Sequence, residues 1–458
     1  MGRFEEAVKI FDRALEIDPV YTDSLFEKGH ALSSLGMYRE AVKTFDKVLQ
    51  IDKNHPEAHY LKGLALASLG RHEDAILELN KTLDLAAGNG KAYYQKGLSL
   101  AALGRSEDAI QAFDRALELM PQSTDTLLHR GQVQIQLGRY NDAIESFKKT
   151  LETDPTNAEA WYLKGSAVFA LEGYEDAIEA FNRAIEIRPE YVSAYYEKGR
   201  ALSRLAMFTE AILSFDNALS FQPNFVDALH YKGLAQLQLG RFEDAESSFD
   251  RALRIRPNNG KIWTGKGITL LKRGKYAEAI TFFRKALGID SRDAHANYYL
   301  GLSLIRLGNC HEAMKYFDAA LAQVPKCVPA LYYKARALAL LSMHHEAVGV
   351  YDRAIALKET FGEAWLYRGM SYASLGQYDH ALEDYNHALS LNNAYAGALL
   401  YRGIALNHLN RYPEAIRSFK DALAIQPDFP DVYYHLGLAL LEQKQYREAI
   451  LAFDRALS

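Results

Sequence analysis

Residues 158–191 read AEAWYLKGSAVFALEGYEDAIEAFNRAIEIRPEY, and this stretch decides the fold. Between residues 160 and 171 the apolar side chains recur at steps of three and four, which is typical of an amphipathic helix. Glu172-Gly173 interrupt that pattern, and a second apolar stripe with helical spacing runs from 174 to 185. Pro189 follows the second stripe, as expected of a residue that cannot continue a helix. The stretch therefore predicts two helices, which a short turn makes antiparallel.

The same pattern recurs every 34 residues through the chain, without an insertion or a deletion. A small residue marks each first helix: Gly29, Gly63, Gly97, Gly131, Gly165, Gly199, Gly233, Gly267, Gly301, Ala335, Gly369, Gly403 and Gly437. Alanine stands 12 residues after each of these, from Ala41 to Ala449, and an aromatic residue or leucine follows four residues later, from Phe45 to Phe453. Because one helical pair cannot bury both of its faces, the periodicity predicts a stack of pairs.

These positions resemble the repeat of the tetratricopeptide (TPR) family. Counted from Thr22, that repeat has a bulky residue at position 4, small residues at positions 8, 20 and 27, an aromatic residue at 24 and proline at 32. The resemblance implies an all-α fold, a right-handed α-α superhelical solenoid of stacked antiparallel helix pairs with a concave groove. It covers residues 1–458 as a single TPR solenoid, with a partial repeat at 1–21 and thirteen repeats at 22–55, 56–89, 90–123, 124–157, 158–191, 192–225, 226–259, 260–293, 294–327, 328–361, 362–395, 396–429 and 430–458.

One position departs from the family. Position 7 of the repeat, usually leucine, is basic in eleven of thirteen repeats, and only Leu300 and Leu436 keep the usual residue. Asp is common at position 25, which suggests an ion pair, but position 7 stays basic where position 25 of the same repeat is basic, as in Arg130 and Lys148. We therefore expect these side chains to lay their stems on apolar surface and to extend their charges into solvent.

The composition excludes several classes of partner. With 53 basic and 58 acidic residues, the formal net charge of −5 gives no overall attraction to nucleic acid or to an anionic membrane. Glu5 and Glu6 stand where a secretory signal would be basic and then apolar, and a chain with only Cys310 and Cys327 fits a reducing compartment. We therefore expect a cytoplasmic protein that binds neither nucleic acid nor membranes.

No stretch predicts catalysis. The segment from Gly260 to Gly267 approaches a phosphate-binding loop, but it lacks the final Ser or Thr, and Gly267 occupies the glycine slot of the repeat. The order of residues from His55 to His59 is not that of a zinc protease, and His344-His345-Glu346 is read more simply as an exposed turn. We expect no enzyme, no metal site and no cofactor.

Function is therefore expected in the groove, which in TPR proteins is lined mainly by the first helix. The basic groove positions concentrate between residues 200 and 336, where tyrosines are also frequent. We hypothesise that this part binds an extended, acidic protein or peptide, because Arg grips carboxylates and Tyr supplies contact area. The candidate residues are Tyr196, Arg200, Arg204, Tyr231, Lys272, Tyr298, Tyr299, Arg306, Tyr332, Tyr333 and Arg336. Position 6 never holds the Asn that the carboxylate clamp of chaperone-binding relatives requires, so a clamp of that kind is not expected.

Three functional readings stay open. The first is a protein-protein interaction scaffold that binds a peptide or protein partner in the concave groove. The second is the recognition arm of a larger enzyme, such as a glycosyltransferase, whose catalytic domain lies outside this chain. The third is a structural spacer that self-associates end to end, since the chain begins with half a repeat and ends without a capping helix.

Overall fold

The computed structural model describes residues 2–457, and that part of the chain contains 27 α-helices and no strand. The first helices in chain order are α1(Gly2–Ile17), α2(Thr22–Ser34), α3(Tyr38–Ile51), α4(Pro56–Ser68), α5(His72–Leu85), α6(Gly90–Ala102), α7(Ser106–Leu119), α8(Thr124–Gln136), α9(Tyr140–Thr153), α10(Ala158–Ala170), α11(Tyr174–Ile187), α12(Val192–Arg204) and α13(Phe208–Phe221). They are followed by α14(Val226–Gln238), α15(Phe242–Ile255), α16(Gly260–Lys272), α17(Tyr276–Ile289), α18(Ala294–Arg306), α19(Cys310–Gln323), α20(Val328–Leu340), α21(His344–Leu357), α22(Gly362–Ser374), α23(Tyr378–Leu391), α24(Ala396–His408), α25(Tyr412–Ile425), α26(Pro430–Glu442) and α27(Tyr446–Leu457). This confirms the predicted all-α architecture.

The chain forms two compact units, Met1–Ala228 and Leu229–Ser458, each of which is a stack of helix pairs.

Local sequence signals determine where the helices begin and end. In the pair formed by α10 and α11, the Asn157 side chain accepts the Ala160 backbone N–H at 2.9 Å and so caps the start of α10. Glu172 then adopts a left-handed conformation with φ of 63°, which reverses the chain into α11. Glycine occupies this turn position in most repeats because it adopts that conformation without strain, as at Gly104.

The core of each repeat lies between the two helices of a pair. Phe113 in α7 is fully buried and covers Gly97 in α6 so closely that a Cβ at Gly97 would lie 2.5 Å from the ring. The small residue thus makes room for an aromatic ring. Ala109, also fully buried, fills the neighbouring slot on α7. The spacing read from the sequence therefore predicts a specific contact: a glycine under an aromatic residue, repeated along each unit.

Basic side chains at position 7 form ion pairs with acidic side chains of the preceding repeat. Arg130 Nη1 lies 2.9 Å from Asp114 Oδ1, and Lys62 Nζ lies 2.7 Å from Asp46 Oδ1. In both pairs the acid stands sixteen residues earlier, on the second helix of the repeat before. For these residues the expectation that the charge extends into solvent was wrong, because the acidic partner belongs to the preceding repeat and not to the same one.

The first helices of each unit share one face. In the first unit α4 contacts α6 and α6 contacts α8, and in the second unit α18 contacts α20 and α20 contacts α22. Among the described residues, no second helix contacts the second helix of the next pair. Successive pairs are therefore closer on the side of the first helices, so that this face is the concave one within each unit. We call it the first-helix face.

Candidate functional site

The first unit holds three of the candidate residues, all on α12. The Arg200 guanidinium binds both carboxylate oxygens of Glu197, at 3.0 and 2.8 Å, and lies 4.9 Å from the centre of the Phe169 ring. Burial raises the pKa of Glu197, although the Arg200 charge opposes that shift. Tyr196 is half-buried beside Arg200, with its ring 5.7 Å from the guanidinium. Arg200 is therefore already occupied by a carboxylate of its own helix.

Arg204 is also paired within the first unit. Its exposed guanidinium lies over the Tyr174 ring at 4.9 Å and is 3.7 Å from a carboxylate oxygen of Glu172. That pair is exposed on both sides, so solvent screens it and it holds Arg204 weakly. The hypothesis placed Arg200 and Arg204 together as carboxylate binders, but Arg200 has a partly buried acidic partner and Arg204 only an exposed one.

Four candidate tyrosines of the second unit form one cluster. On α18, Tyr298 and Tyr299 pack edge to face with ring centroids 4.9 Å apart, and on α20 Tyr332 and Tyr333 repeat that arrangement at 4.9 Å. Tyr298 joins the two pairs, since its ring lies 6.2 Å from that of Tyr333. Burial raises the pKa of Tyr298 and of Tyr332, so that both hydroxyls stay protonated and able to donate. Tyr332 is buried, whereas the other three are half-buried.

Arg336 lies beside this cluster. Its guanidinium is 4.5 Å from the centre of the Tyr367 ring on α22 and 6.0 Å from that of Tyr332. Within residues 2–457 it forms no ion pair with a carboxylate. Because an aromatic face attracts a cation without neutralising it, Arg336 keeps its charge available to an anion. It therefore differs from Arg200, although both occupy position 9 of their repeats.

The remaining candidates of the second unit are Lys272, Arg306 and Tyr231. Lys272 and Arg306 are the exposed last residues of α16 and α18, and neither forms an ion pair in the described part of the chain. Tyr231 on α14 is half-buried, and its ring lies 5.4 Å from that of His230. The second unit thus has two exposed cations and one half-buried cation on the first helices of three successive repeats.

The sequence analysis did not single out Tyr351, and it took His344 for part of an exposed turn, whereas His344 is the half-buried first residue of α21. Tyr351 on α21 is fully buried, and its hydroxyl has no hydrogen-bond partner; the same is true of the buried Nδ1 atom of His344. The available signal was a tyrosine at position 24, where most repeats have phenylalanine. A hydroxyl added to an apolar slot needs a partner when it is buried.

The sequence segments that resemble a phosphate-binding loop or a metal site are parts of the helical repeats. The segment from Gly260 to Gly267 forms the first two turns of α16, which leaves no loop to surround a phosphate. His59 is buried and binds Glu78, with 2.5 Å between Nδ1 and Oε2. Among the described residues, no three His, Cys, Asp or Glu side chains lie together in a way that could hold a metal ion. Over the same residues, no helix has the length and apolar character needed to cross a bilayer.

The geometry defines an α-helical repeat protein. Comparison with known families identifies the repeat family. Models described as tetratricopeptide or TPR repeats match residues 90–156, 128–192, 196–260, 232–295, 362–395, 405–444 and 431–458, which together exceed half of the chain. The chain belongs to the tetratricopeptide repeat family. A model described as anaphase-promoting complex, cyclosome, subunit 3 matches 1–82, 34–116 and 272–354. Tetratricopeptide proteins act as protein-interaction scaffolds and are typically not catalytic.

Several solved structures are similar in part. The APC/C hetero-tetramer Cut9–Hcn1 matches at 18% identity with a TM-score of 0.48, over 92% of this chain and 96% of that one. MamA matches at 33% identity with a TM-score of 0.36, over 37% of this chain and 92% of that one. The C-terminal part of a TPR repeat-containing protein from Cytophaga hutchinsonii matches at 18% identity with a TM-score of 0.47, over 52% of this chain and 98% of that one. No curated protein sequence matches the chain.

Proposed function

We propose that the chain is an interaction scaffold whose second unit binds an extended acidic peptide along its first-helix face. The observation that carries this proposal is the set of three cations without carboxylate partners on that face: Lys272, Arg306 and Arg336. They lie on α16, α18 and α20, the first helices of three successive repeats. A peptide that follows the face would meet one cation from each repeat.

The tyrosines give such a peptide something to pack on. Three of them are half-buried, so that part of each side chain is accessible to a partner: Tyr298, Tyr299 and Tyr333. Tyrosine loses little side-chain entropy on binding and offers both apolar area and a hydroxyl donor. Arginine adds bidentate hydrogen bonds to carboxylates, which a point charge cannot match. This combination favours an acidic peptide over a neutral one.

Arg200 and Arg204 of the first unit contribute less to the proposal. A partner that used Arg200 would have to replace Glu197, which is close and partly buried. Removing the partner of a buried charge is costly, so such an exchange gains little. Of the eleven candidate residues, the proposed site therefore keeps only those of the second unit.

A peptide-display selection on the immobilised full chain tests the proposal. We expect acidic peptides to be enriched, and their binding to weaken as salt rises, because exposed charges are screened. The double variant Lys272→Glu with Arg306→Glu should lose the enriched peptides. The matched control is Arg251→Glu with Lys315→Glu, which makes the same change of charge at exposed residues of the second helices α15 and α19.

Two results would reject the proposal. One is enrichment of neutral or basic peptides. The other is equal loss of binding in the first-helix variant and in the control, because that would show a response to net charge and not to this face.

A further inference from the structure

A small pocket opens between three helices of the second unit, next to the proposed peptide path. Its volume is about 170 Å³, and α20, α21 and α22 each contribute to its lining. The residues that matter here are Arg336, Leu340, His344, Tyr351, Tyr367 and Ser371. An enclosed space of about 150 Å³ is enough for benzene, so this pocket can admit one short side chain.

Two residues that line the pocket each carry a buried polar atom without a hydrogen-bond partner. The Tyr351 hydroxyl belongs to a residue with 0% exposure, and the Nδ1 atom of His344 is likewise buried and without a hydrogen bond. Ser371, in contrast, donates its hydroxyl to the Tyr367 carbonyl at 3.0 Å and is satisfied. Buried polar groups are nearly always hydrogen-bonded, so two such atoms on residues of one pocket are an observation that needs an explanation.

Charge identifies the kind of ligand. Arg336 lines the same pocket, lies against the Tyr367 ring and has no carboxylate partner in the described part of the chain. Tyr332 packs behind these residues, since its ring centroid lies 6.0 Å from the Arg336 guanidinium and 6.2 Å from that of Tyr351. A guanidinium next to a spare hydroxyl and a spare imidazole nitrogen is suited to an oxyanion, which accepts hydrogen bonds from each of them.

We propose that this pocket binds a single carboxylate, supplied by an acidic residue of the peptide on the first-helix face. Arg336 provides the counter-ion, Tyr351 donates its hydroxyl, and His344 donates from Nδ1 in the tautomer protonated there. The inference rests on the proposed function, and it adds a specific anchor to a face that otherwise offers only exposed charges. The pocket also explains why position 24 carries tyrosine in this repeat, since phenylalanine would leave the carboxylate one donor short.

Met370 lines the pocket and provides a direct reporter in the full chain. The protein has 7 methionines, so labelling their ε-methyl groups with ¹³C gives a simple NMR spectrum, in which Met370→Leu assigns the signal. The probes are N-acetylglutamate amide, whose only charge is the side-chain carboxylate, and its neutral analogue N-acetylglutamine amide. N-acetylglycylglycine carries only a terminal carboxylate, and inorganic phosphate tests a different oxyanion.

We expect N-acetylglutamate amide to shift the Met370 signal in a saturable way, while the signal of Met37 in the first unit stays in place. If N-acetylglycylglycine acts more strongly, the carboxylate comes from a chain terminus; if it acts more weakly, it comes from a side chain. Either order supports a carboxylate site, but the stronger response to N-acetylglycylglycine overturns the assignment to an acidic side chain. A stronger response to phosphate, or an equal response to the glutamine analogue, overturns it.

Two variants test the assigned groups. Tyr351→Phe should weaken binding of the glutamate probe about tenfold, and Arg336→Gln at least as much, because each removes a hydrogen bond to a charged group. Phenylalanine already fills this position in other repeats, as at Phe317, so Tyr351→Phe should fold. The control Arg353→Gln removes an exposed arginine of the same helix α21 and should leave binding unchanged. Unchanged binding in Tyr351→Phe would reject the pocket.

The failures of the two proposals can be told apart. If displayed acidic peptides bind through Lys272 and Arg306 but the Met370 signal does not move, the face binds acids and the pocket does not. If the glutamate probe moves Met370 but no acidic peptide is enriched, the pocket stands and the extended peptide site falls.

Discussion

Lys266 on α16 lies 2.5 Å from Asp250 on α15, and this ion pair joins two successive repeats through residues sixteen apart. The lysine side chain is only 11% exposed, so the pair is better shielded from solvent than most surface ion pairs. The same spacing recurs in both units, in the pairs Lys28–Asp12, Lys62–Asp46, Arg130–Asp114, Lys334–Asp318 and Arg368–Asp352. In these repeats, position 7 therefore connects the repeat to the one before it.

Repeats with a basic residue at position 25 cannot form this ion pair with the repeat that follows. Position 25 is basic in three repeats, at Lys148, Arg284 and Lys420, and in two of them the next repeat replaces its basic residue by leucine, at Leu300 and Leu436. Leucine avoids placing two positive charges together. Only Lys148 is followed by a lysine, Lys164. Burial lowers the pKa of Lys164, and the nearby charge of Lys148 lowers it further. Lys148 and Lys164 thus form an unfavourable contact at the place where other repeats have an ion pair.

The variant Lys148→Asp should stabilise the first unit. It replaces a repulsive contact with the ion pair found elsewhere, and we expect a gain of about 0.5–1 kcal/mol at low salt. Hydrogen exchange of the α9 and α10 amides measures it, because stability in repeat arrays is local. The control Lys149→Asp makes the same change at the adjacent exposed position. An equal gain in the control would mean that only net charge matters.

How far the sequence predicts the structure depends on the range of the contact. The pair α10 and α11 could be predicted because periodicity, Gly173 and Pro189 are local signals. The Arg130–Asp114 pair could not, because several acidic positions lie at similar distances along the chain and only the packing of successive repeats selects one.

The candidate site shows the same division. The resemblance to the TPR family implied that Tyr298 and Arg336 lie on first helices, as they do on α18 and α20. That Arg200 is occupied by Glu197, and that the Tyr351 hydroxyl has no partner, depend on side-chain conformations that spacing does not specify. From the sequence alone, a tyrosine at an aromatic position of the repeat cannot be told from an ordinary core residue, because its hydrogen-bond partners are not known.

Arg368 makes two ion pairs that should differ in strength. It binds Asp352, whose side chain is 50% exposed, and Asp384, whose side chain is 3% exposed, both at 2.5 Å. Asp352→Asn should cost less than about 1 kcal/mol, because water replaces the lost contact. Arg368→Gln should cost about 3–5 kcal/mol, since it leaves Asp384 buried without a counter-ion. Hydrogen exchange of α22 and α23 compares them. Equal costs would contradict the assigned burial.

The contact between glycine and the aromatic ring predicts opposite effects for two glycine-to-alanine changes. Gly97→Ala should destabilise its repeat by about 1–3 kcal/mol, because the new methyl group overlaps Phe113. Gly349→Ala should stabilise α21 by about 0.5–1 kcal/mol, because the helix interior gains a better helix former and the Cβ meets nothing within 4 Å. Local hydrogen exchange measures both changes.

A second-site change separates overlap from other causes. Leu79 stands where Phe113 does, and there a methyl group added at Gly63 would meet the leucine side chain at 3.0 Å instead of 2.5 Å. Phe113→Leu should therefore recover part of the stability lost in Gly97→Ala. If the double variant is less stable than the sum of the two single changes predicts, the ring is not the source of the cost.

The buried cluster around Glu78 predicts an acid-sensitive repeat. Burial raises the pKa of Glu78, but hydrogen bonds from His59, Lys62 and Lys81 outweigh it and hold that pKa below its usual value. The folded state therefore releases the proton more readily than the unfolded chain does. Its stabilising effect is present above the ordinary glutamate pKa of about 4.3 and is lost as the pH falls through the lower folded value. Glu78→Gln should remove this dependence and cost about 3 kcal/mol at neutral pH.

Hydrogen exchange of the α4 and α5 amides as a function of pH measures that effect, because these helices carry His59, Lys62, Glu78 and Lys81. The exposed neighbour Glu73 provides the control: Glu73→Gln removes one negative charge from the same helix and should keep the acid dependence of the native chain. If Glu78→Gln retained the same loss of protection below about pH 4, another carboxyl group would carry it. Because Lys62 also binds Asp46 of the preceding repeat, loss of Glu78 should lower protection in α3 as well, and more strongly than in α7.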